Sequence, residues 1–207
     1  MKRMVMSLAL ALATFAPVAM QVRAADVSLV QQRVANVEVL RGSFQQEKRI
    51  AGFRNPLRSQ GRFVVSRTQG VIWSTLKPFP SEMVVTRDRI LSRQSDGSQR
   101  VEVDGRQQPA LRSVNAMMFA LVSGDVAVLS SRFETQVEAL PGNAWKLSLK
   151  PRSATLAQSF ARIVLSGDRY VRHVEIEEAN GDRTQLTFTD ITEAPAKLNA
   201  EEAARFD

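Results

Sequence analysis

The 207-residue chain has no cysteine and a single histidine, His173. Without cysteine there is no disulfide framework, no thiol nucleophile and no site for a lipid anchor on a cleaved N-terminal cysteine. With one histidine, zinc and copper sites of ordinary composition are excluded. A Ser-His-Asp triad would have to use His173, which sits in an alternating strand pattern among charged neighbours. Ser95 and Ser130 lack the strand-turn-helix setting of a nucleophile elbow. Asp96, Asp104, Asp168 and Asp182 fall in turns, where Asp serves the backbone. Glu177 and Glu178 are adjacent, so a strand sends them to opposite faces. No phosphate loop or dinucleotide fingerprint is present. The reading is a non-enzyme with no catalytic residue, no metal and no cofactor. An unrecognised hydrolase is the weakest alternative.

Long apolar runs are also scarce. Met4 to Ala16 is broken only by Ser7 and Thr14 and ends at Pro17, behind Lys2 and Arg3. That is short of the about 20 residues a transmembrane helix needs, and it has the form of a secretory leader. Residues 1–24 are therefore expected to be a signal peptide, with Val22 and Ala24 before the cut, and 25–207 a single domain. Loss of Lys2, Arg3 and Arg23 takes the net charge from +7 to +4. The remaining charge is dispersed, and export argues against nucleic acid as a partner. Transient contact with an anionic membrane surface or an acidic partner is the better use; the competing reading, which has equal weight, is that the charge serves solubility alone.

The rest of the chain is rich in period-two alternation. Val27, Val30, Val34 and Val37 first recur at helical spacing. Strands are then predicted at Leu40 to Glu47, Ser59 to about Arg67, Val71 to Thr75 and Met83 to Thr86, with hairpin turns at Asp96-Gly97 and Asp104-Gly105 around Arg100 to Val103. Ser113 to Val122 (SVNAMMFALV) favours helix, and Asp125 to Leu129 can start another turn. Strands return at Phe133 to Ala139, Trp145 to Lys150, Phe160 to Ser166, Tyr170 to Glu177 and Thr184 to Ile191. Glu193 to Asp207 reads as tail or short helix. About six strands, a helical insert and about five strands, joined by hairpins, imply an antiparallel meander. Such a sheet must curl. The fold class is α+β, mostly antiparallel β: one curved sheet of about 10–11 strands whose mouth is crossed by helices that enclose an apolar interior.

Four stretches carry a resemblance to a known family. They are the first helix with LRGSFQQEK (Leu40 to Lys48), QGRFVVSRTQGVIWSTLKP (Gln60 to Pro78), SVNAMMFALV, and FARIVLSGDRYVRHVEIEEANGDRTQLTF (Phe160 to Phe188). In order and spacing they resemble the outer-membrane lipoprotein carriers, LolA and its relatives. The resemblance implies a curved incomplete barrel with a helical lid over an apolar cavity, in a periplasmic, monomeric carrier that takes the acyl chains of lipoproteins into that cavity. It also implies an inner-membrane ABC-type exporter that loads it and an outer-membrane receptor that unloads it. Arg67 matches the family's arginine that hydrogen-bonds to the lid, and Trp73 matches its cavity tryptophan. Thr68 stands where the carriers usually have proline, and the family's C-terminal extension looks short or missing. Both departures fit a divergent relative, so a carrier or sensor for a non-protein lipid (glycolipid, fatty-acyl or polyene) is the alternative.

The residues expected to line the cavity are Phe44, Phe63, Val65, Val71, Trp73, Met83, Val85, Met117, Met118, Phe119 and Leu121. Methionine suits variable chains because its stem adapts. The competing reading of the same residues is an ordinary packed core. Arg67 is the expected lid gate, since an arginine against an apolar face must find acceptors. The competing reading is a solvent-facing arginine at a hairpin end.

Overall fold

The computed structural model describes residues 27–86, 89–93, 99–104, 120 and 125–206. Within them, one sheet takes up most of the chain. Its first run is β1 (Val39–Arg49), β2 (Leu57–Ser66), β3 (Gly70–Lys77), β4 (Ser81–Val85), β5 (Arg89–Arg93) and β6 (Gln99–Asp104). Its second is β7 (Phe133–Ala139), β8 (Trp145–Pro151), β9 (Phe160–Gly167), β10 (Val171–Glu178) and β11 (Arg183–Thr192). Each strand pairs antiparallel with its chain neighbour within a run, and β11 then pairs with β1. The spatial order is β6-β5-β4-β3-β2-β1-β11-β10-β9-β8-β7, so the barrel is open between β6 and β7. The six-plus-five layout agrees with the alternation in the sequence. The expected hairpin turns at Asp96-Gly97 and Asp104-Gly105, and the helix over 113–122, lie outside the described residues apart from Asp104 and Ala120. Ala120 is helical and fully buried.

Alternation gives the sheet two faces. The inner face holds one continuous cluster running from Phe44 and Phe63 through Phe188 to Leu147, Ile163 and Leu165. Among the described residues, two seven-residue helices contribute fully buried side chains to it. α1 (Val27–Arg33) contributes Val30, and α2 (Val126–Arg132) contributes Val126 and Leu129. α1 is shorter than the valine spacing predicts. The amide of Val34 still bonds Val30 O, but the next amide, of Ala35, donates to Arg169 O in the β9–β10 turn. A tertiary partner thus ends the helix before Val37. α2 starts where the Asp125 side chain accepts the Val128 amide. A single-turn α3 (Ala154–Ala157), capped by Ser153, fills the connection between β8 and β9.

The outer face has its own smaller cluster of Ile72, Val84 and Leu91, closed by Phe206 with Leu198 and Val64 beside it. The C-terminal segment is therefore a built element rather than a tail. It ends in α4 (Ala200–Ala204), which opens with a capping box between Asn199 and Glu202. Arg41 on β1 holds it. Its Nε and Nη2 donate to Glu202 Oε1 and Oε2 at 2.7 and 2.6 Å, and Nη1 and Nη2 donate to Pro195 O and Lys197 O at 2.7 and 3.0 Å. This two-pronged pairing raises the Arg41 pKa and lowers that of Glu202, in both cases chiefly through the hydrogen bonds between them. Arg205 adds a 2.8 Å bond to Glu82 on β4.

Candidate functional site

The inner face divides into two halves of different character. Over β7, β8 and β9, beneath α1 and α2, it is sealed except at Phe160, which is partly exposed. Phe133, Trp145, Leu147, Leu149, Ile163 and Leu165 have no exposed surface. The indole Nε1 of Trp145 donates to Asp168 O at 2.6 Å, which satisfies its one polar atom. Arg33 ties α1 down through a 2.6 Å bond to Ala144 O. Over β1 to β5 the packing is less complete. Trp73, Met83, Leu40 and Ile90 remain partly open beside fully buried neighbours.

This second half is built around four aromatic rings. Phe44 stacks on Trp73 with centroids 3.8 Å apart and planes 24° from parallel. Phe188 meets Phe63 edge-on at 5.2 Å and Trp73 at 6.1 Å. The rings lie low because glycine faces each phenylalanine of β1 and β2. Phe44 is paired with Gly61, and Gly42 with Phe63. A Cβ on Gly42 would come within 2.7 Å of the Phe63 ring, and one on Gly61 within 2.8 Å of the Phe44 ring. An interior strand glycine otherwise weakens a sheet. Here each leaves the room in which a cross-strand ring lies over the backbone.

Of the predicted lining residues, Phe44, Phe63, Val65, Val71, Trp73, Met83 and Val85 share this face and belong to one cluster. Phe44, Phe63, Val65, Val71 and Val85 are nearly fully buried, at 1–4% exposure, leaving Trp73 and Met83 partly open. Met117, Met118, Phe119 and Leu121 lie outside the described residues. Phe188, with Leu186 and Ile191, was not predicted and belongs to the same cluster. The alternation of Leu186 and Phe188 in β11 was the available signal, but only the β1–β11 pairing sets Phe188 opposite Phe44.

Arg67 lies in the β2–β3 turn, exposed to solvent, with its amide donating to Glu38 O at 2.9 Å. Its guanidinium makes no hydrogen bond to another described residue. Thr68, where the carriers usually have proline, donates from its hydroxyl to Glu38 Oε1 at 3.1 Å, while the neighbouring Ser66 Oγ accepts the Gln69 amide at 3.3 Å. The turn thus has its own polar support. His173 is exposed on β10, 3.3 Å from Thr187 Oγ1.

These features define a class: an open antiparallel half-barrel with an apolar inner face partly covered by helices. Residues 35–201 match the family model described as outer membrane lipoprotein carrier protein LolA, and the chain belongs to that family. An outer-membrane lipoprotein carrier protein of Dechloromonas aromatica is 25% identical over 182 residues, 88% of this chain and 84% of that protein. Similar solved structures include a DUF1329 family protein of Desulfovibrio piger, at TM-score 0.49 and 9% identity, covering 87% of this chain and 97% of that one. A LolA superfamily protein of Nitrosomonas europaea aligns at TM-score 0.46 and 9% identity, covering 87% and 95%. A carrier-like, non-enzymatic role accords with the family.

Proposed function

We propose that the protein is a periplasmic carrier that holds lipoprotein acyl chains against the β1–β5 half of its inner face and moves them from the inner to the outer membrane. An ABC-type exporter would load it and an outer-membrane receptor unload it. The observation that carries the reading is the aromatic patch with its partly open members, Trp73 and Met83, inside a fold shared with a carrier family. Each methylene removed from water contributes about 0.8 kcal/mol. A chain of roughly 15 methylenes then resists free passage through water by on the order of 12 kcal/mol. A sheet face of this composition is a suitable refuge. Arg67 stands exposed at the end of β2, where its guanidinium bonds no other described residue, and its part as the lid gate follows from the family resemblance alone.

The test is mass spectrometry of ligands retained by the natively processed protein, with uptake of a diacylated lipopeptide followed by Trp73 emission in a Trp145→Phe background. Acylated peptides and a cargo-dependent change in emission are expected. Recovery of a non-protein lipid alone would make that lipid the cargo instead. No bound lipid and no lipopeptide uptake would end the carrier reading. Arg67→Leu should slow cycling between empty and loaded forms, and equal uptake and release by mutant and wild type would remove Arg67 from the mechanism.

A further inference from the structure

The four large apolar side chains that stand out as exposed among the described residues are Phe79, Phe53, Leu57 and Leu76, at 81, 73, 59 and 48% exposure. Antiparallel order brings them together. β1 ends at Arg49 and β2 starts at Leu57, while β3 ends at Lys77 and β4 starts at Ser81. The β1–β2 loop with Phe53 and the β3–β4 loop with Phe79 therefore occupy one rim of the half-barrel, opposite the end that carries the Arg67 turn. A grouping of this kind on a single rim marks an interaction surface rather than scattered surface residues.

The loops are presented firmly. Asp182 Oδ1 accepts the Ala51 amide at 2.9 Å, fixing the β1–β2 loop to the β10–β11 turn. Phe79 sits between Pro78 and Pro80, whose rings restrict the backbone on both sides. The charge around the apolar groups is one-sided. Glu47 is already paired with Arg49 and Arg58, Glu178 and Asp182 with Lys48, and Glu177 with Arg162 and Arg183. Arg54 and Lys77 make no ion pair with a described residue and are exposed. Next to Phe79, a groove of about 500 Å³ lined in part by Arg58, Ser59, Gln60, Lys77 and Pro78 offers polar partners for a headgroup.

We propose that this rim docks the protein on an anionic lipid bilayer, with Phe53 and Phe79 entering the interface and Arg54 and Lys77 meeting lipid phosphates. Interfacial aromatics flanked by cations are the composition that such a surface selects. The proposal does not depend on what the inner face carries.

The experiment is flotation of the natively processed protein with vesicles of phosphatidylglycerol and phosphatidylethanolamine, against vesicles of phosphatidylcholine. Preferential binding to the anionic vesicles, weakened by salt, is expected. Phe53→Ser with Phe79→Ser should weaken partition by roughly tenfold or more, since two aromatic side chains no longer leave water. Arg54→Glu with Lys77→Glu should remove the preference for anionic lipid while leaving the melting temperature unchanged, because all four side chains are exposed. Wild-type protein that ignores anionic vesicles, or binds them as well without the two phenylalanines, would overturn the proposal. So would a photo-crosslinker at position 79 that captures one protein partner in cells while the vesicles stay unbound.

Discussion

Gly61→Ala tests whether the aromatic patch is built as described. The added methyl would lie 2.0 Å from Ser74 O, a backbone atom of β3, and 2.8 Å from the Phe44 ring. The first contact is the decisive one. A ring can turn aside, but a carbonyl moves only with its strand, so β3 has to shift by about 1 Å against strands that normally lie about 4.8 Å apart. Overpacking a side chain into a core typically costs about 1–3 kcal/mol, and a backbone clash belongs at or above the top of that range. Taking about 3 kcal/mol, and about 2–4 °C per kcal/mol for a domain of this size, the midpoint should fall by about 6–12 °C. Phe44 is displaced as well, so its 3.8 Å stack on Trp73 is lost. Thermal unfolding by circular dichroism and Trp73 emission, both in a Trp145→Phe background, measure the two effects. Gly52→Ala is the control, because a Cβ there meets nothing within 4 Å and only its positive φ of +84° is strained. A Gly61→Ala protein that melts within about 2 °C of its parent with unchanged emission would refute the account.

Two further outcomes concern the C-terminal segment. Phe206→Ala removes the side chain that closes the outer cluster over Ile72, Val84 and Leu91. Amide exchange across residues 193–206 should rise sharply, while global stability falls by less than the about 3–5 kcal/mol of a central Phe→Ala, since local release of the segment caps the loss; unchanged exchange would refute it. Acid should loosen the same segment. The folded pKa of Glu202 is depressed by its bonds from Arg41, so the stabilisation is present above the unfolded value of about 4.3 and disappears as pH falls through the lower folded value. Exchange of 196–206 followed through that range should show the step, and Glu202→Gln should remove the part that Arg41 carries, leaving that of Glu193, whose carboxyl is likewise held low by bonds from Tyr170 and Arg169.

Where the sequence was transparent, the controlling interactions were local. β7 occupies the expected span, Phe133 to Ala139, because the α2 cap feeds into it and the Pro141-Gly142-Asn143 turn ends it. Alternation likewise put Phe63, Val65, Val71 and Trp73 on a common face. What stayed hidden involves partners distant in the chain. Val37 fits the helical period, but Ala35 is claimed by Arg169 O. Glu193 to Asp207 reads as tail or short helix, and the helix at Ala200–Ala204 agrees with the second reading, but its anchor, Arg41, lies more than 150 residues earlier and could not be read locally. Phe188 joins the patch only through the pairing of β11 with β1. Gly42 and Gly61 carried a usable signal, since glycine inside a strand marks close approach, but the approaching group was not legible.

The two halves of the inner face bear directly on how a carrier could let go of its cargo. Full transfer of a chain of roughly 15 methylenes, at about 12 kcal/mol, corresponds to a Kd near 1 nM. With an ordinary association rate of about 10⁶ M⁻¹s⁻¹, such a complex would persist for many minutes. A shuttle needs weaker net binding. The sealed half, with Trp145, Leu147, Leu149 and Ile163 fully buried, offers no surface without unfolding. The half with Trp73 and Met83 offers part of one side of a binding surface. Wrapping the chain's other side requires neighbouring groups, Phe44 and Phe63 among them, to give up contacts that they already make in the empty protein. Those lost contacts subtract from the gain on loading. On the proposed reading, the nearly complete burial of this half is what keeps cargo exchangeable, and a variant that opened it permanently should bind more tightly and release more slowly.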